Sequence, residues 1–467
     1  MKEKKDVFEQ GAIRDARTLG LPRMLILGLQ HMFAMFGATV LVPIIVQNQY
    51  DLPLNTQTTL FFAGLGTLLF HVCTKMKVPA FLGSSFAFLG GFAAMGAMDS
   101  GMYAGMDPAV KLQYACGGIV VAGLLYVVMA AIIKLVGVRK VMRFLPPVVT
   151  GPIIILIGLN LAPSAVSNAS TCWWLAIVAI AVIIVANLWG KGMIKIIPIL
   201  LGVVGSYLVA AVAGQVDFTA VKNAAWIGLP FAMEDTVFSF FKTGVNGQLL
   251  LEAIIAMMPI SLATMMEHIG DMSAISSTVG KNYIENPGLH RSLMGDGCAT
   301  ALAALFGAPA NTTYGENTGV LALTKVYNPA VVRLAAVLAI LFSFCPKFAA
   351  LIYCMPTATI GGVSLILYGM ISAVGVRNVV ENQVDFTKSR NVLIAALILV
   401  IAIGMKYGTG DIGGITFQLG SVNIQLSSLA IAAIVGIVMN AILPGKDYEF
   451  GANEQGDISV NFGSRHK

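Results

Sequence analysis

The chain has 467 residues, of which 57% are apolar and only 11% charged, with a mean hydropathy of +0.82. A soluble domain carries about 25% charged residues, and a chain this apolar cannot cover its own surface with polar groups, so a single large soluble core is excluded. The net charge of +6 would suit nucleic acid, but the basic residues are dispersed between apolar runs instead of forming a patch.

A membrane-crossing helix needs about 20 mostly apolar residues, and such runs recur along the chain. The opening stretch, MKEKKDVFEQGAIRDAR, has no apolar core; the first apolar run, Met24 to Val46, is too long for a signal-peptide core, and no small-residue cleavage site follows it. It reads as the first permanent span. Further spans are predicted at 56–73, 77–98, 112–135, 141–161, 170–189, 194–214, 249–275, 292–308, 312–326, 329–353, 356–376, 391–405 and 421–443, fourteen in all. Spans three and ten are interrupted by Gly, Pro, Ser, Thr and Asn. A β-barrel would show short alternating strands, and these runs are long and continuous. The fold expected is an all-α polytopic membrane protein. The six cysteines are scattered, with no CxxC or Cys/His cluster, so neither a metal site, a cofactor site nor a disulfide framework is expected.

Basic residues concentrate on the cytoplasmic side of membrane proteins. With the N-terminus in the cytoplasm and the spans alternating, 24 of the 29 Lys and Arg fall inside, Lys195 and Arg377 among them. The five outside are Lys111, Lys222, Lys242, Lys347 and Lys406. One missed early span would scramble this split. The bias places both termini in the cytoplasm and assigns the basic residues to topology rather than to nucleic acid.

The chain also resembles itself. Pro146-Pro147-Val148-Val149-Thr150-Gly151-Pro152-Ile153 is similar to Pro356-Thr357-Ala358-Thr359-Ile360-Gly361-Gly362-Val363, and the interrupted stretch Pro79–Phe86 corresponds to Pro309–Glu316. The matched spans, three with ten and five with twelve, differ by seven. Seven is odd, so the two halves would face opposite ways, the inverted-repeat pattern of secondary carriers. This divides the chain into a cytoplasmic segment (1–23), a first seven-span repeat (24–240), a second (241–445) and a cytoplasmic tail (446–467). Backbone groups freed by a helix break at membrane depth must be satisfied by protein or by water in a cavity, so paired breaks mark a binding site.

Charged side chains at membrane depth are costly and therefore informative. Glu267 and Asp271 stand at i and i+4 on one face of span eight, Asp296 is in span nine, and Glu316 follows the break Thr312-Thr313-Tyr314-Gly315. For Glu267 and Glu316 a ligand-binding role outweighs that of a structural carboxyl; for Asp296 the two readings balance. His31, in span one, reads first as a hydrogen-bonded packing histidine, and Glu252, at the start of span eight, as a residue reaching the membrane interface. Phe86 follows Gly83-Ser84-Ser85, which would turn its backbone N–H toward a cavity.

Gln30-His31-Met32-Phe33-Ala34-Met35-Phe36-Gly37-Ala38-Thr39-Val40-Leu41-Val42-Pro43 resembles the opening span of the nucleobase–ascorbate (nucleobase:cation symporter-2) transporters. Glu316-Asn317-Thr318-Gly319-Val320-Leu321-Ala322-Leu323-Thr324-Lys325 matches that family's signature, and Gly83-Ser84-Ser85-Phe86-Ala87-Phe88 and Asn286-Pro287-Gly288-Leu289-His290-Arg291-Ser292 also match. The similarity covers about residues 21–445 and favours the uracil-carrying branch. It implies a core domain of spans 1–4 and 8–11, a gate domain of spans 5–7 and 12–14, and short antiparallel strands in spans three and ten. It further implies proton symport of a nucleobase across the plasma membrane, often by a homodimer. Carried over by position, Glu267 and Glu316 bind the base through side chains, Phe86 and Gly315 offer backbone groups, and Tyr314 packs nearby. Asp271, Asp296, Ser364, Tyr368, His31 and Asn317 belong to the surrounding network or to proton coupling. Asp271 stands where the uracil branch has histidine and Asp296 where it has a neutral residue, both as in the xanthine branch; Glu316 follows the uracil branch. The expectation is uracil–proton symport, with a xanthine- or urate-type purine symporter as the alternative.

Uracil presents two N–H donors and two carbonyl acceptors; carboxylates accept the former and freed backbone N–H groups serve the latter. Glu267, coupled to Asp271, is expected to take a proton from outside, bind the base, and release both inside. An anion exchanger of the same architecture would want a cationic or dipolar site, and an intramembrane enzyme would want an HExxH, GxSxG or Cys/His set that this sequence lacks.

Overall fold

The computed structural model describes residues 12–98, 103, 105–409, 414–419 and 422–445, and it is mostly helical. The tail 446–467 and residues 1–11 of the opening segment lie outside the described residues. Helix α1 (Gly20–Tyr50) begins inside the segment expected to precede the first span, because Leu21-Pro22 sits in a first turn that tolerates proline. Then follow α2 (Thr56–Cys73), strand β1 (Leu82–Ser84), α3 (Leu89–Ala97), α4 (Pro108–Val136), α5 (Pro147–Ser170), α6 (Trp173–Leu188) and α7 (Pro198–Val212). The second half contains α8 (Gly247–Met257), α9 (Ile260–Val279), α10 (Leu289–Leu305), β2 (Asn311–Thr313), α11 (Gly315–Thr324), α12 (Pro329–Ser343), α13 (Pro346–Tyr353), α14 (Thr357–Glu381) and α15 (Ser389–Gly408). It closes with β3 (Gly414–Leu419), β4 (Val422–Ser427) and α16 (Ser428–Ile442).

Among the described residues, seven helical stretches are long and apolar enough to cross a membrane, with α8 and α9 counted as one, or eight if the bent pair α12–α13 is also one span. Helices α6, α7 and α16 are apolar but shorter. Proline sets several boundaries that apolar runs alone misplace. Span five, expected over 141–161, is the helix Pro147–Ser170, with Pro147 pre-shaped for a first turn. Span eight is divided at Met258-Pro259, and span eleven bends by 86° before Pro346. Span fourteen is shorter than its apolar run: residues 422–427 form β4, paired antiparallel with β3 from Gly414↔Ser427 to Leu419↔Val422. Ile415-Thr416-Phe417-Gln418-Leu419 and Val422-Asn423-Ile424-Gln425-Leu426 alternate apolar and polar residues, the period of a strand and not of a helix. The all-α expectation is corrected to that extent.

The helices pack in two sets. In one, α1 and α2 pack on α12, and α10 on α2 and α4; in the other, α5, α6 and α14 pack together with α7, α15 and α16 alongside. The α5–α14 contact is close because it is built on glycines: a Cβ at Gly158 would meet the Tyr368 carbonyl oxygen at 2.1 Å, and one at Gly375 would meet the Ile155 nitrogen at 2.5 Å. Ser372 Oγ seals it by donating to Ile155 O at 2.9 Å.

Candidate substrate-binding site

The two helix breaks meet inside the bundle. Strands β1 and β2 pair antiparallel, with Leu82 opposite Thr313, Gly83 opposite Thr312 and Ser84 opposite Asn311, all buried. Buried backbone groups need partners, and neighbouring helices supply them. Leu82 N donates to Thr67 Oγ1 (2.8 Å), Asn311 N to Thr300 Oγ1 (3.2 Å), and Thr300 Oγ1 to Asn311 O (3.0 Å). Asn311 Nδ2 donates to Phe62 O (3.2 Å), and His71 Nε2 lies 2.9 Å from Ala80 O. Polar residues that look like interruptions of apolar helices are the fittings that hold this crossing.

Tyr314 leaves β2 and locks the crossing from the other side. Its N–H donates to Phe81 O (3.0 Å) and its hydroxyl to Ser84 O (2.8 Å), while Ser84 Oγ donates to Thr39 O (2.8 Å). The ring lies against Gly83, where an added Cβ would sit 2.4 Å from Tyr314 Cζ and 2.6 Å from Thr39 Oγ1. Only glycine fits there.

A cavity of about 410 Å³ opens beside the crossing, within the range of small-molecule sites. It is lined by Phe86, Glu267, Asp271, Tyr314, Gly315 and Glu316, with Lys195 and Arg377 also on its lining. Glu267 and Asp271 project from one face of α9, and Glu316 stands in the first turn of α11, which begins directly after β2. Glu267 and Glu316 are half-buried, and Asp271 is buried with Oδ2 accepting from Thr313 Oγ1 at 2.7 Å. A Cβ at Gly315 would lie 4.0 Å from Asp271 Oδ1, so α9 and α11 face each other across the cavity. The positive end of the α11 dipole points at the same space.

The remaining expected residues form a shell behind this wall. Asn317 Nδ2 donates to His31 O (2.9 Å) and lies 3.2 Å from His31 Nδ1, tying α11 to α1; both residues are buried. Ser364 and Tyr368, one turn apart on α14, are buried, and Tyr368 meets Phe86 edge-on with ring centroids 5.7 Å apart. Asp296 does not line the cavity. Its Oδ2 lies 2.9 Å from His268 Nδ1, and both side chains have no exposed surface. Glu252, near the start of α8, is likewise buried among protein, with Gln248 Nε2 donating to Oε1 at 3.4 Å. The sequence reading missed His268 and Thr313. The signal for Thr313 was its position in the break, four residues before Asn317; that for His268 was a polar side chain at helical spacing from a second buried acid.

Apolar spans around a polar, acid-lined cavity at two helix breaks define a polytopic membrane transporter, not an enzyme. The chain belongs to the nucleobase–ascorbate (nucleobase:cation symporter-2) permeases: the model of that Permease family matches residues 22–410. It is 42% identical to the uracil permease of Bacillus caldolyticus, over 93% of this chain and 94% of that protein. It is 39% identical to the uracil permease of Bacillus subtilis (strain 168), over 92% and 95%, and 36% identical to the putative pyrimidine permease RutG of Escherichia coli (strain K12), over 94% and 93%. Among solved structures it resembles the transmembrane domain of the cyanobacterial bicarbonate transporter BicA, with TM-score 0.56 and 14% identity over 92% of this chain and 99% of that one. It also resembles the murine Solute Carrier 26 family member A9 anion transporter in the inward-facing state, with TM-score 0.57 and 10% identity over 90% and 67%. At these identities the likeness concerns the fold.

Proposed function

We propose that this chain imports uracil with a proton across the plasma membrane by alternating access. The observation that carries the reading is the convergence of Glu267, Asp271 and Glu316 with the Phe86 and Gly315 backbone on one cavity at the strand crossing. Carboxyl oxygens there can accept the N–H groups of a flat neutral base, and backbone N–H groups of the broken spans can serve its carbonyls. A proton on one of the clustered acids lowers the cost of holding them together in a low-dielectric site. The relatives named uracil permease support the substrate.

In this reading the chain has fourteen spans in two inverted repeats of seven, with both termini cytoplasmic. Spans 1–4 and 8–11 form a core domain that moves against a gate domain of spans 5–7 and 12–14. Lys195 and Arg377, assigned to the cytoplasmic side by the positive-inside bias, line the same cavity as the acids, which supports reading it as open to the inside. Homodimer assembly belongs to the same reading.

A purine reading keeps one support, Asp271, which lines the cavity; Asp296 is turned to His268 and makes no argument about the base. The test is uptake of labelled uracil into proteoliposomes under an imposed inward proton gradient, competed by excess xanthine. Gradient-dependent uptake that xanthine does not block is expected. Xanthine uptake without uracil uptake would transfer the assignment to the purine branch, and gradient-independent, chloride-dependent exchange would transfer it to anion exchange.

A further inference from the structure

The segment that joins α7 to α8 is pinned to the bundle and yet exposes its largest apolar side chains. Trp226, Ile227 and Leu229 are 72, 83 and 81% exposed, and Phe241 is 89% exposed. The backbone beneath them is fixed. Gly228 N donates to Phe344 O (3.0 Å) and Lys347 N to Ala225 O (2.9 Å), which seats the segment on the corner between α12 and α13. Pro230 O accepts from Thr58 Oγ1 of α2 (2.7 Å), and Glu234 O accepts from Gln113 Nε2 of α4 (2.8 Å). Phe231 packs on Phe306, just beyond α10, with ring centroids 5.2 Å apart. All these contacts lie near helix ends that the distribution of Lys and Arg assigns to the outside. A pinned backbone holds the four side chains outward, where contact with water is unfavourable and a partner that covers them is favoured.

The position of the patch identifies the partner. Helix α13 leaves α12 at 86°, so where α12 crosses the bilayer α13 lies near its plane. The exposed apolar surface of the spans continues into the patch. Val337 and Leu341 are exposed on α12 within the two turns before Phe344, and Leu208 and Val212 are exposed at the end of α7. Tyr207 Oη joins that end of α7 to α13 by donating to Leu351 O at 2.9 Å. The composition is that of a headgroup-level belt. Lys347 Nζ stands 5.0 Å over the Trp226 ring, and Lys242 follows Phe241 in the chain. Tryptophan is enriched where a span leaves the hydrocarbon, and a lysine there keeps its stem on apolar surface and its ammonium among the polar headgroups.

We propose that Trp226, Ile227, Leu229 and Phe241 form an interfacial anchor seated in the outer leaflet, with phospholipid covering this face of the segment. The seat rests on the topology of the proposed function and is independent of the solute carried. Replacing Trp173, Trp174 and Trp189 by phenylalanine leaves Trp226 as the single tryptophan of the full-length chain. In proteoliposomes, lipid brominated near the headgroup end of its acyl chains should at least halve the Trp226 emission, and lipid brominated near the chain ends should quench it less. Aqueous iodide should quench it several-fold less than it quenches free tryptophan amide. Ile227→Glu/Leu229→Glu in the same chain should shift the emission to the red and reverse the order of the quenchers. Quenching by iodide and not by lipid would overturn the anchor and leave the patch in water; protection from both would overturn it in favour of contact with a second copy of the chain. If the triple replacement does not fold, the difference in quenching between the parent and Trp226→Phe gives the same readings. The leaflet is tested separately, with Asp217→Cys in a background free of native cysteines. It should react with an impermeant maleimide in intact cells. Reaction only after permeabilisation would overturn the outer-leaflet seat and the proposed topology together.

Discussion

The acids of α9 and α11 divide their work by surroundings. In the proposed mechanism Glu267 holds both substrate and proton, so Glu267→Gln should abolish uphill accumulation in proteoliposomes while leaving part of counterflow exchange; accumulation at the parent level would remove it from the coupling role. Asp271 is instead oriented by Thr313. A hydrogen bond to a carboxylate contributes about 1.5–3 kcal/mol to stability, so Thr313→Val should lower the thermal midpoint in detergent and, by freeing Asp271 to turn, also weaken uracil binding measured by dialysis. Asp296, which does not line the cavity, should affect stability without a direct effect on binding. Breaking a fully buried pair costs about 3–5 kcal/mol, so Asp296→Ala should lower the thermal midpoint markedly, and a variant as stable as the parent would show that its pair with His268 is dispensable. At this scale the sequence revealed acids because charge at membrane depth is rare. It did not reveal partners: His268 meets Asp296 from a different helix, and only the packing of α9 on α10 brings them together.

The site forms where two spans fail to stay helical, beside the acids that α9 and α11 carry. Gly83-Ser84-Ser85 and Asn311-Thr312-Thr313 were legible as breaks because small and hydroxyl residues interrupt apolar runs at matching places in the two halves. Their register, and the use of Thr67, Thr300 and Asn311 to satisfy them, depended on helices distant in sequence. The β3–β4 hairpin escaped notice because its strands abut the apolar run of α16, and a window wide enough to find a span averages over their alternation. Gly83 carries the tightest constraint in the crossing. A methyl group there would collide with the Tyr314 ring, so Gly83→Ala should cost at least tenfold in uracil affinity while the protein still inserts and purifies as a monodisperse species. Unchanged affinity would mean that Tyr314 can withdraw without disturbing Gly315 and Glu316.

For the molecule as a whole, the proposed mechanism requires the set of helices bearing the acids to move against the set built on α5 and α14. The structure offers a place to arrest that motion. Gly37 on α1 faces Ile199 on α7, and a Cβ built at Gly37 lies 3.7 Å from the Ile199 Cβ and 2.9 Å from its Cγ2. Disulfides span Cβ atoms about 3.8 Å apart, so a cysteine pair fits here, and replacing Ile199 also removes the branch that would crowd it. The six native cysteines are all free and would first be replaced by serine or alanine. In that background, Gly37→Cys/Ile199→Cys should form a disulfide on mild oxidation and lose more than nine-tenths of its proton-driven uptake, with recovery after reduction. Each single cysteine should be insensitive to the oxidant. The locked form should still bind uracil from the side on which the acid-lined cavity opens, because that cavity is already formed in this conformation. Parent-level uptake by a fully oxidised pair would mean that α1 and α7 travel together, and the boundary between the moving parts would then have to lie elsewhere than between these two helices.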